Sequence, residues 1–517
     1  MNGAHLRRNP WVVLTVLCVA VFLVVVDNTI VNVALPILSE RLHASNSGLQ
    51  WIVDGYSLPF AGLLLAGAEV ADRFGRLRVM NGALVAFALS SLLAATSHSM
   101  TQLLIARALL GASAAFIFPA TLSLVTVAFD REVERAKAFG IWGATAGVAI
   151  ALGPVVGGYL LNHYWFGSIF LINIPVALVA LALTWWHVGE SSSPVSRGLD
   201  WPGLVLGSGA VSALVFAIIE GPSSGWMTGR ILVLFGLSLV LGVLFVRYEH
   251  QRDEPLLDVR LFRRGPFSAG AAAIAASFFS LFGFIFYVTQ YFQMVRGYSA
   301  FSSGLHTLPF AVVTMIATPF SAVIALRAGI RWVVGAGLVI MGSAMILIAS
   351  FSAHVSYVVP IVGAMSLFGV GFSLITPTST AAVMGTLSPS QIGSGAAVNE
   401  TTRELGGTLG VAVMGSVFAS YFSQRIASNF HHLRLTSFII DRARGSMQAA
   451  LSTVEHVPVA QRSATAGAVQ NSFMSAFHRT TIVGGLVAIV VGVAVVFWLP
   501  STPMASATTT PTDGTSE

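Results

Sequence analysis

The sequence predicts an all-α polytopic membrane protein: two six-helix bundles with two further helices inserted between them, fourteen spans in all, and both termini on the cytoplasmic side. Three observations predict it. Of 517 residues 55% are hydrophobic and only 9% charged, a balance that excludes a water-soluble domain of this length. Apolar runs of about 20 residues, the length that crosses the hydrocarbon core of a bilayer, recur along the chain. Two local patterns also repeat, at nearly the same offset, in the two ends of the chain.

In order, the runs lie near 11–38, 48–69, 79–97, 102–128, 137–161 and 168–187; then 201–220 and 228–247; then 267–291, 303–326, 332–352, 356–384, 405–424 and 480–499. These divide the chain into a first bundle at 1–190, an inserted pair at 191–250 and a second bundle at 251–500, with an outer loop at 428–478 and a disordered cytoplasmic tail at 501–517. The first span follows MNGAHLRRNP directly, without the short apolar core and small-residue cleavage site of a signal peptide, so it is expected to be retained. It contains Cys18, the single cysteine, which excludes an intrachain disulfide and any multi-cysteine metal site.

Orientation follows from the basic residues, because cytoplasmic loops accumulate Lys and Arg. With the N-terminus inside, the inner flanks hold the series from Arg7 and Arg8 through Arg197 to Arg403. The short outer loops hold only Arg41, Arg230 and Arg296. The arginines between Arg425 and Arg479 fall on the outer side, in a segment too long to weigh in the rule. That segment carries Gly445, Pro458 and Gly467 between short apolar patches and is expected to be partly helical.

The repeat joins Gly111 and Pro119 of GASAAFIFP with Gly369 and Pro377 of GVGFSLITP. It also joins the Arg73–Arg76 turn with the Arg327–Arg331 turn. Chance spacing of glycine and proline is the alternative; the matched locations favour duplication, a common way of building transporters.

Charged residues at membrane depth are costly and mark candidate functional sites. Asp27 sits in VVVDNTIVNVALP with Asn28 and Asn32, a polar stripe on span one; it either gains and loses a proton or fixes packing. Asp54, in WIVDGYSL, lies six residues into span two and is read as close to the outer surface. Arg107, in LLIARALLGASAA, keeps its proton and requires an acceptor or a water path. Facing a carboxylate, it either forms a static pair or couples proton movement to a conformational change. Glu400, with Arg403 and Glu404, is read as a solvated turn ahead of span thirteen, with a transport role as the alternative. Span five, GATAGVAIALGPVVGGYL, is interrupted by Gly153-Pro154 and closed by Gly157-Gly158, which suits either a kinked packing helix or a moving interface. On span nine Phe279, Phe282, Phe286, Gln290 and Gln293 share a face that serves either as packing or as a pocket for hydrophobic cations.

These residues resemble the signatures of the major facilitator superfamily. GAEVADRFGRLRV looks like its signature loop. Asp27-Asn28-Thr29 through Ala34-Leu35-Pro36, Arg107 with Gly111, and Gly140 through Gly158 are similar to the signatures of its drug:proton antiporters. With fourteen spans, WIVDGYSL, LLDVRLFRRGPFSAG and SGAAVNETTRELGGTLGVAVMGS, the chain resembles the fourteen-helix branch of multidrug exporters. The resemblance implies the major facilitator fold and outward export of lipophilic, often cationic compounds in exchange for protons. It implies a conformational latch at Asp72, Arg73, Gly75 and Arg76, an antiporter helix at Gly140, Gly153, Pro154, Gly157 and Gly158, and proton coupling through Asp27, Arg107 and Asp54. Asn28, Asn32, Phe282, Phe286, Gln290 and Glu400 are the pocket candidates. Ala68, Leu77 and Ala149 depart from the family pattern, and Thr314 stands in span ten where exporters of divalent cations carry an acid.

The expected partners are lipophilic or cationic small molecules, protons and the lipid bilayer, with no nucleic acid, no metal and no cofactor beyond the proton gradient. The expected unit is a monomer in the cytoplasmic membrane. No GxxxxGK[ST] loop supports direct ATP drive, and no HExxH motif supports a membrane-embedded metalloenzyme. A narrow-substrate exporter of an antibiotic or lipid-like metabolite and a proton-coupled importer remain as alternatives, since a fold alone does not fix direction.

Overall fold

A computed structural model of the chain describes residues 9–129, 131–191, 200–252, 255, 257–387 and 392–499. The predicted tail at 501–517 and the basic residues Arg7, Arg8 and Arg197 lie outside the described residues. Among those described, fourteen helices are long and apolar enough to cross a membrane. They are α1 (Pro10–Leu42), α2 (Asn46–Phe74), α3 (Arg76–Ala95), α4 (Met100–Ala128), α5 (Val133–His163), α6 (Ser168–His187), α7 (Trp201–Ser224), α8 (Gly229–Gln251), α9 (Gly265–Val295), α10 (Ala300–Ala328), α11 (Ile330–Ile348), α12 (Tyr357–Met384), α13 (Val398–His432) and α14 (Val459–Trp498).

Several helices begin where the sequence supplies a cap. Asn9 accepts from the Trp11 amide ahead of Pro10, Ser45 from Gly48, Ser99 from Gln102 and Asp200 from Gly203. Other helices are broken locally: α6 at Ile172 and α10 at Thr307, just before Pro309.

The main corrections to the sequence reading concern helix length. Span thirteen, placed at 405–424, continues to His432, and span fourteen, placed at 480–499, starts at Val459. The outer loop at 428–478 is therefore mostly helix: the ends of α13 and α14, and two short helices, Ser437–Ala443 and Met447–Val454, between them. Hydropathy falls where Arg, Gln and Ser appear, whereas the backbone hydrogen bonds that propagate a helix do not require apolar side chains.

The first six helices pack as one group, α1 against α5 and α2 against α4; the last six form a second, with α9 against α13 and α14 and α11 against α12 and α14. Association in lipid rests on close packing and interhelical hydrogen bonds. The inserted pair α7–α8 lies beside both groups, because α7 touches α2 and α13. Ser208 Oγ donates to the Gly62 carbonyl at 3.0 Å, and Ser416 Oγ donates to the Ile218 carbonyl at 2.5 Å. Of α8 only Ile231 and Glu249 are buried; one face packs on α7, where Ser238 Oγ donates to the Ala210 carbonyl at 2.9 Å and Phe245 lies against Gly207, and the other turns outward.

The two groups meet at the end of the molecule that holds the α1–α2 turn, the predicted outer end. Thr289 Oγ1 donates to the Asn32 carbonyl at 3.1 Å and Gln293 Nε2 to the Val33 carbonyl at 2.9 Å. Asn162 Nδ2 donates to Ser299 Oγ at 3.2 Å, and the Asn46 amide to the Gly445 carbonyl at 2.8 Å.

Candidate transport site

At the centre of the first helix group lies a buried ion pair. Arg107 Nη1 of α4 is 2.9 Å from Asp27 Oδ2 of α1, and both side chains have no exposure. Two charges removed from water need further hydrogen bonds to offset desolvation, and the neighbouring helices supply them. Asn173 Nδ2 of α6 donates to Asp27 Oδ1 at 2.6 Å and is 3.2 Å from Ser91 Oγ of α3. Arg107 Nε donates to the Ile52 carbonyl of α2 at 2.9 Å, and its guanidinium lies 4.5 Å from the centre of the Tyr56 ring. The Tyr56 hydroxyl in turn donates to the Val24 carbonyl of α1 at 3.0 Å. One carboxylate thus ties α1 to α4 and α6, and one guanidinium ties α4 to α2.

Around this pair several buried polar atoms have no hydrogen-bond partner among the described residues: Arg107 Nη2, Asn28 Oδ1, both side-chain polar atoms of Gln50 and both carboxylate oxygens of Asp54. Asp54 is fully enclosed, which corrects its expected place near the surface. α2 begins at Asn46, so Asp54 is eight residues below the helix start, about 12 Å at 1.5 Å per residue. Gly55 beside it faces Leu104 and Arg107 of α4. Of the asparagines, Asn28 is buried, and Asn32 Nδ2 donates to the Thr29 carbonyl while its own carbonyl accepts from Thr289.

The glycines of α5 sort into two kinds. A Cβ at Gly153 would collide with Thr29 of α1, one at Gly157 with Ile30 and Val33, and one at Gly158 with the Ala300 carbonyl of α10. Reciprocally, a Cβ at Gly304 of α10 would strike the Pro154 carbonyl. Gly153 through Gly158 therefore form the seam at which α5 approaches both α1 and the second helix group. Gly140, on the same helix, meets nothing within 4 Å and stands apart from this seam.

At the other end of α2, Arg76 Nε and Asp72 Oδ1 lie 2.6 Å apart, and Gly75 turns the chain with a φ of 104°. Arg73 is exposed over the ring of Phe74 and takes no part in that ion pair.

In the second group Glu400 lies inside a helix, buried, with Oε1 accepting from Arg403 Nη1 at 2.8 Å and from Asn399 Nδ2 at 3.4 Å. That overturns the reading of a solvated turn; the apolar run was measured from 405, about two turns after the span begins at Val398. Phe282, Phe286 and Gln290 are buried in packing: Phe282 fills the space above Gly407 of α13, Phe286 meets the Tyr287 ring edge-on, and Gln290 Nε2 donates to the Phe286 carbonyl. The neighbouring stripe of α9 borders open volume instead. A narrow, partly open cleft of about 30 Å³ between α5 and the second group is lined by Pro154, Leu281, Phe284, Val288, Phe310 and Phe368, among others. Phe284 and Val288 also border a second small cleft, of about 20 Å³, with Tyr291 and Phe477. A π-helical turn at Tyr291–Val295 ends α9, so regular helical spacing does not carry through to Gln293.

Sequence reasoning missed Asn173 and Tyr56. A lone asparagine within the apolar run IFLINIPVAL is the signal that marks Asn173, since an uncharged amide in a membrane span also calls for a partner.

The profile of the Major Facilitator Superfamily matches residues 17–411. The multidrug efflux pump LfrA of Mycolicibacterium smegmatis is 33% identical over 494 residues, covering 94% of this chain and 97% of the relative. The methylenomycin A resistance protein of Streptomyces coelicolor is 33% identical over 427 residues, 82% of this chain and 88% of the relative. Among solved structures, a bacterial homologue of the human lysosomal transporter Spinster, inward-facing and unoccupied, superposes with a TM-score of 0.66 at 17% identity, covering 95% of this chain and 97% of the other.

Proposed function

This chain belongs to the Major Facilitator Superfamily, as a multi-pass cell-membrane transporter among drug-efflux relatives, and from that premise we propose that it exports lipophilic, often cationic compounds in exchange for protons. The observation that carries the reading is the Asp27–Arg107 pair, enclosed between α1 and α4 and tied to three other helices, α2, α3 and α6. A proton on Asp27 removes the charge that holds Arg107 and loosens α1 from α4. The same stretch of α1 presents Thr29 and Ile30 to Gly153 and Gly157 of α5, and the carbonyls of Asn32 and Val33 to the second helix group. A shift of α1 is therefore felt at the outer seam about one turn away. Closure at the outer end agrees with a resting state that receives cargo from inside or from the inner leaflet. The apolar, aromatic lining of the cleft beside Pro154 suits lipophilic cargo.

The driving force is adequate. Each inward proton supplies roughly 2.3 kcal/mol per 100 mV and about 1.4 kcal/mol per pH unit. The unit of transport is a monomer, with no cofactor beyond the proton gradient.

The test is efflux of ethidium or tetraphenylphosphonium from energised, pump-deficient cells carrying wild type, Asp27→Asn or Arg107→Ala, with and without an uncoupler. Uncoupler-sensitive efflux in wild type and its loss in both variants at equal protein level is the expected outcome. Efflux that persists undiminished under the uncoupler overturns proton coupling. A relative named for resistance to one antibiotic favours a second reading, a narrow-substrate exporter. Protection against a single antibiotic with no efflux of either dye selects it.

A further inference from the structure

The first amides of a helix have no partners within it, and α3 lacks a cap of its own, since it begins directly after Gly75 with no side-chain acceptor there. Its partners come from 113 residues away. Glu190 Oε1 accepts from the Leu77 amide at 3.1 Å and Glu190 Oε2 from the Arg78 amide at 3.1 Å. The Ser191 carbonyl accepts from the Arg76 amide at 2.9 Å. Arg78 Nε stands 3.6 Å from the same carboxylate, and the Ser191 amide also donates to Oε1. A Cβ at residue 75 would come within 2.8 Å of Glu190 Oε1, so glycine is required there twice, for the positive φ and for the seat of the carboxylate. A negative charge at this end of α3 also meets the positive end of the helix dipole.

The corresponding turn of the second helix group is built differently. Gly329 has a similar φ of 86°, and α11 starts after it without a side-chain cap. Among the described residues no acid is bonded to the first amides of α11, as Glu190 is to those of α3.

We propose that Glu190 is a positioning residue for transport: a cap lent to α3 that fastens the end of α6, where the chain leaves for the inserted pair, to the α2–α3 turn. The Asp72–Arg76 pair sits in that turn, immediately before the capped amides. With the carboxylate in place, α6 and the turn move as one body; without it, the turn can shift independently of α6 and the inner ends of the helices lose their common register. The transport role rests on the exporter reading above, whereas the capping itself does not.

The experiment uses the full chain in lipid nanodiscs and in inverted vesicles, as wild type, Glu190→Gln and Glu190→Ala. Hydrogen exchange of the peptide carrying Leu77 and Arg78 is expected to quicken about tenfold in Glu190→Ala and less in Glu190→Gln, which keeps one acceptor oxygen. Proton-driven ethidium uptake is expected to lose maximal rate several-fold in the same order, with KM unchanged. Unchanged exchange in both variants overturns the cap. Faster exchange with an unchanged maximal rate overturns the positioning role and leaves a purely structural cap. If wild type takes up no ethidium while exchange responds as expected, the exporter reading fails and the cap stands. Glu190→Gln carries the comparison should Glu190→Ala not fold.

Discussion

Asp27 and Arg107 hold each other in a way that makes either alone more damaging than both together. Removing one partner of a buried pair leaves an unpaired charge, at a cost of about 3–5 kcal/mol. Asp27→Asn and Arg107→Gln are each expected to lower the melting temperature in detergent, and the double variant by less than the sum of the two. A strictly additive double-variant cycle would mean that the two side chains do not interact in solution. The two residues were legible because a charge in an apolar run stands out. Their pairing was not, since 80 residues separate them and only the packing of α4 on α1 brings them together. Asn173, the second donor to Asp27, carries no charge to betray it. Asp54 was misplaced for a related reason: depth counted from the first apolar residue ignores the half-turn of helix that Asn46 and Ser47 already form.

At the level of the helix, α5 shows which glycines matter. Gly158→Val places two methyls against the Ala300 carbonyl and is expected to abolish transport and destabilise the outer-closed state. Gly140→Ala, facing open space, is expected to change stability by less than about 0.5 kcal/mol. Drug-resistance assays at matched membrane abundance separate the two; full activity in Gly158→Val would remove α5 from the seam. The Gly-Pro stretch was legible as a close-packing site, because proline and paired glycines stand out in an otherwise apolar run, although the helix runs through Pro154 without a break. The sequence could not separate Gly140 from Gly158, for a glycine's neighbour is set by a helix elsewhere in the chain. Helix ends were the weakest part of the reading, as α13 and α14 show: polar residues end a hydropathic run without ending a helix.

For the whole molecule, the fourteen spans and the paired Gly–Pro and arginine patterns were readable because the bilayer imposes its thickness on each apolar run. The contacts between the two groups were not, since they join α1 to α9 and α5 to α10 across distant sequence. Asn162 and Ser299 lie at this junction. In a Cys18→Ser background, Asn162→Cys with Ser299→Cys is expected to cross-link under mild oxidation and to stop transport, with recovery on reduction. Cross-linking that leaves transport intact would show that this junction stays closed throughout the cycle.

The position of α7 has a further consequence. It is fastened to α2 through Ser208 and Gly62 and to α13 through Ile218 and Ser416, so it lies as a strap across the line along which the two groups part. Rocking must slacken one of these fastenings each time, a difference of roughly 0.5–1.5 kcal/mol per hydrogen bond. The balance between open and closed forms is then set partly from the periphery, where α7 is itself backed by one face of α8 through Ser238 and Phe245.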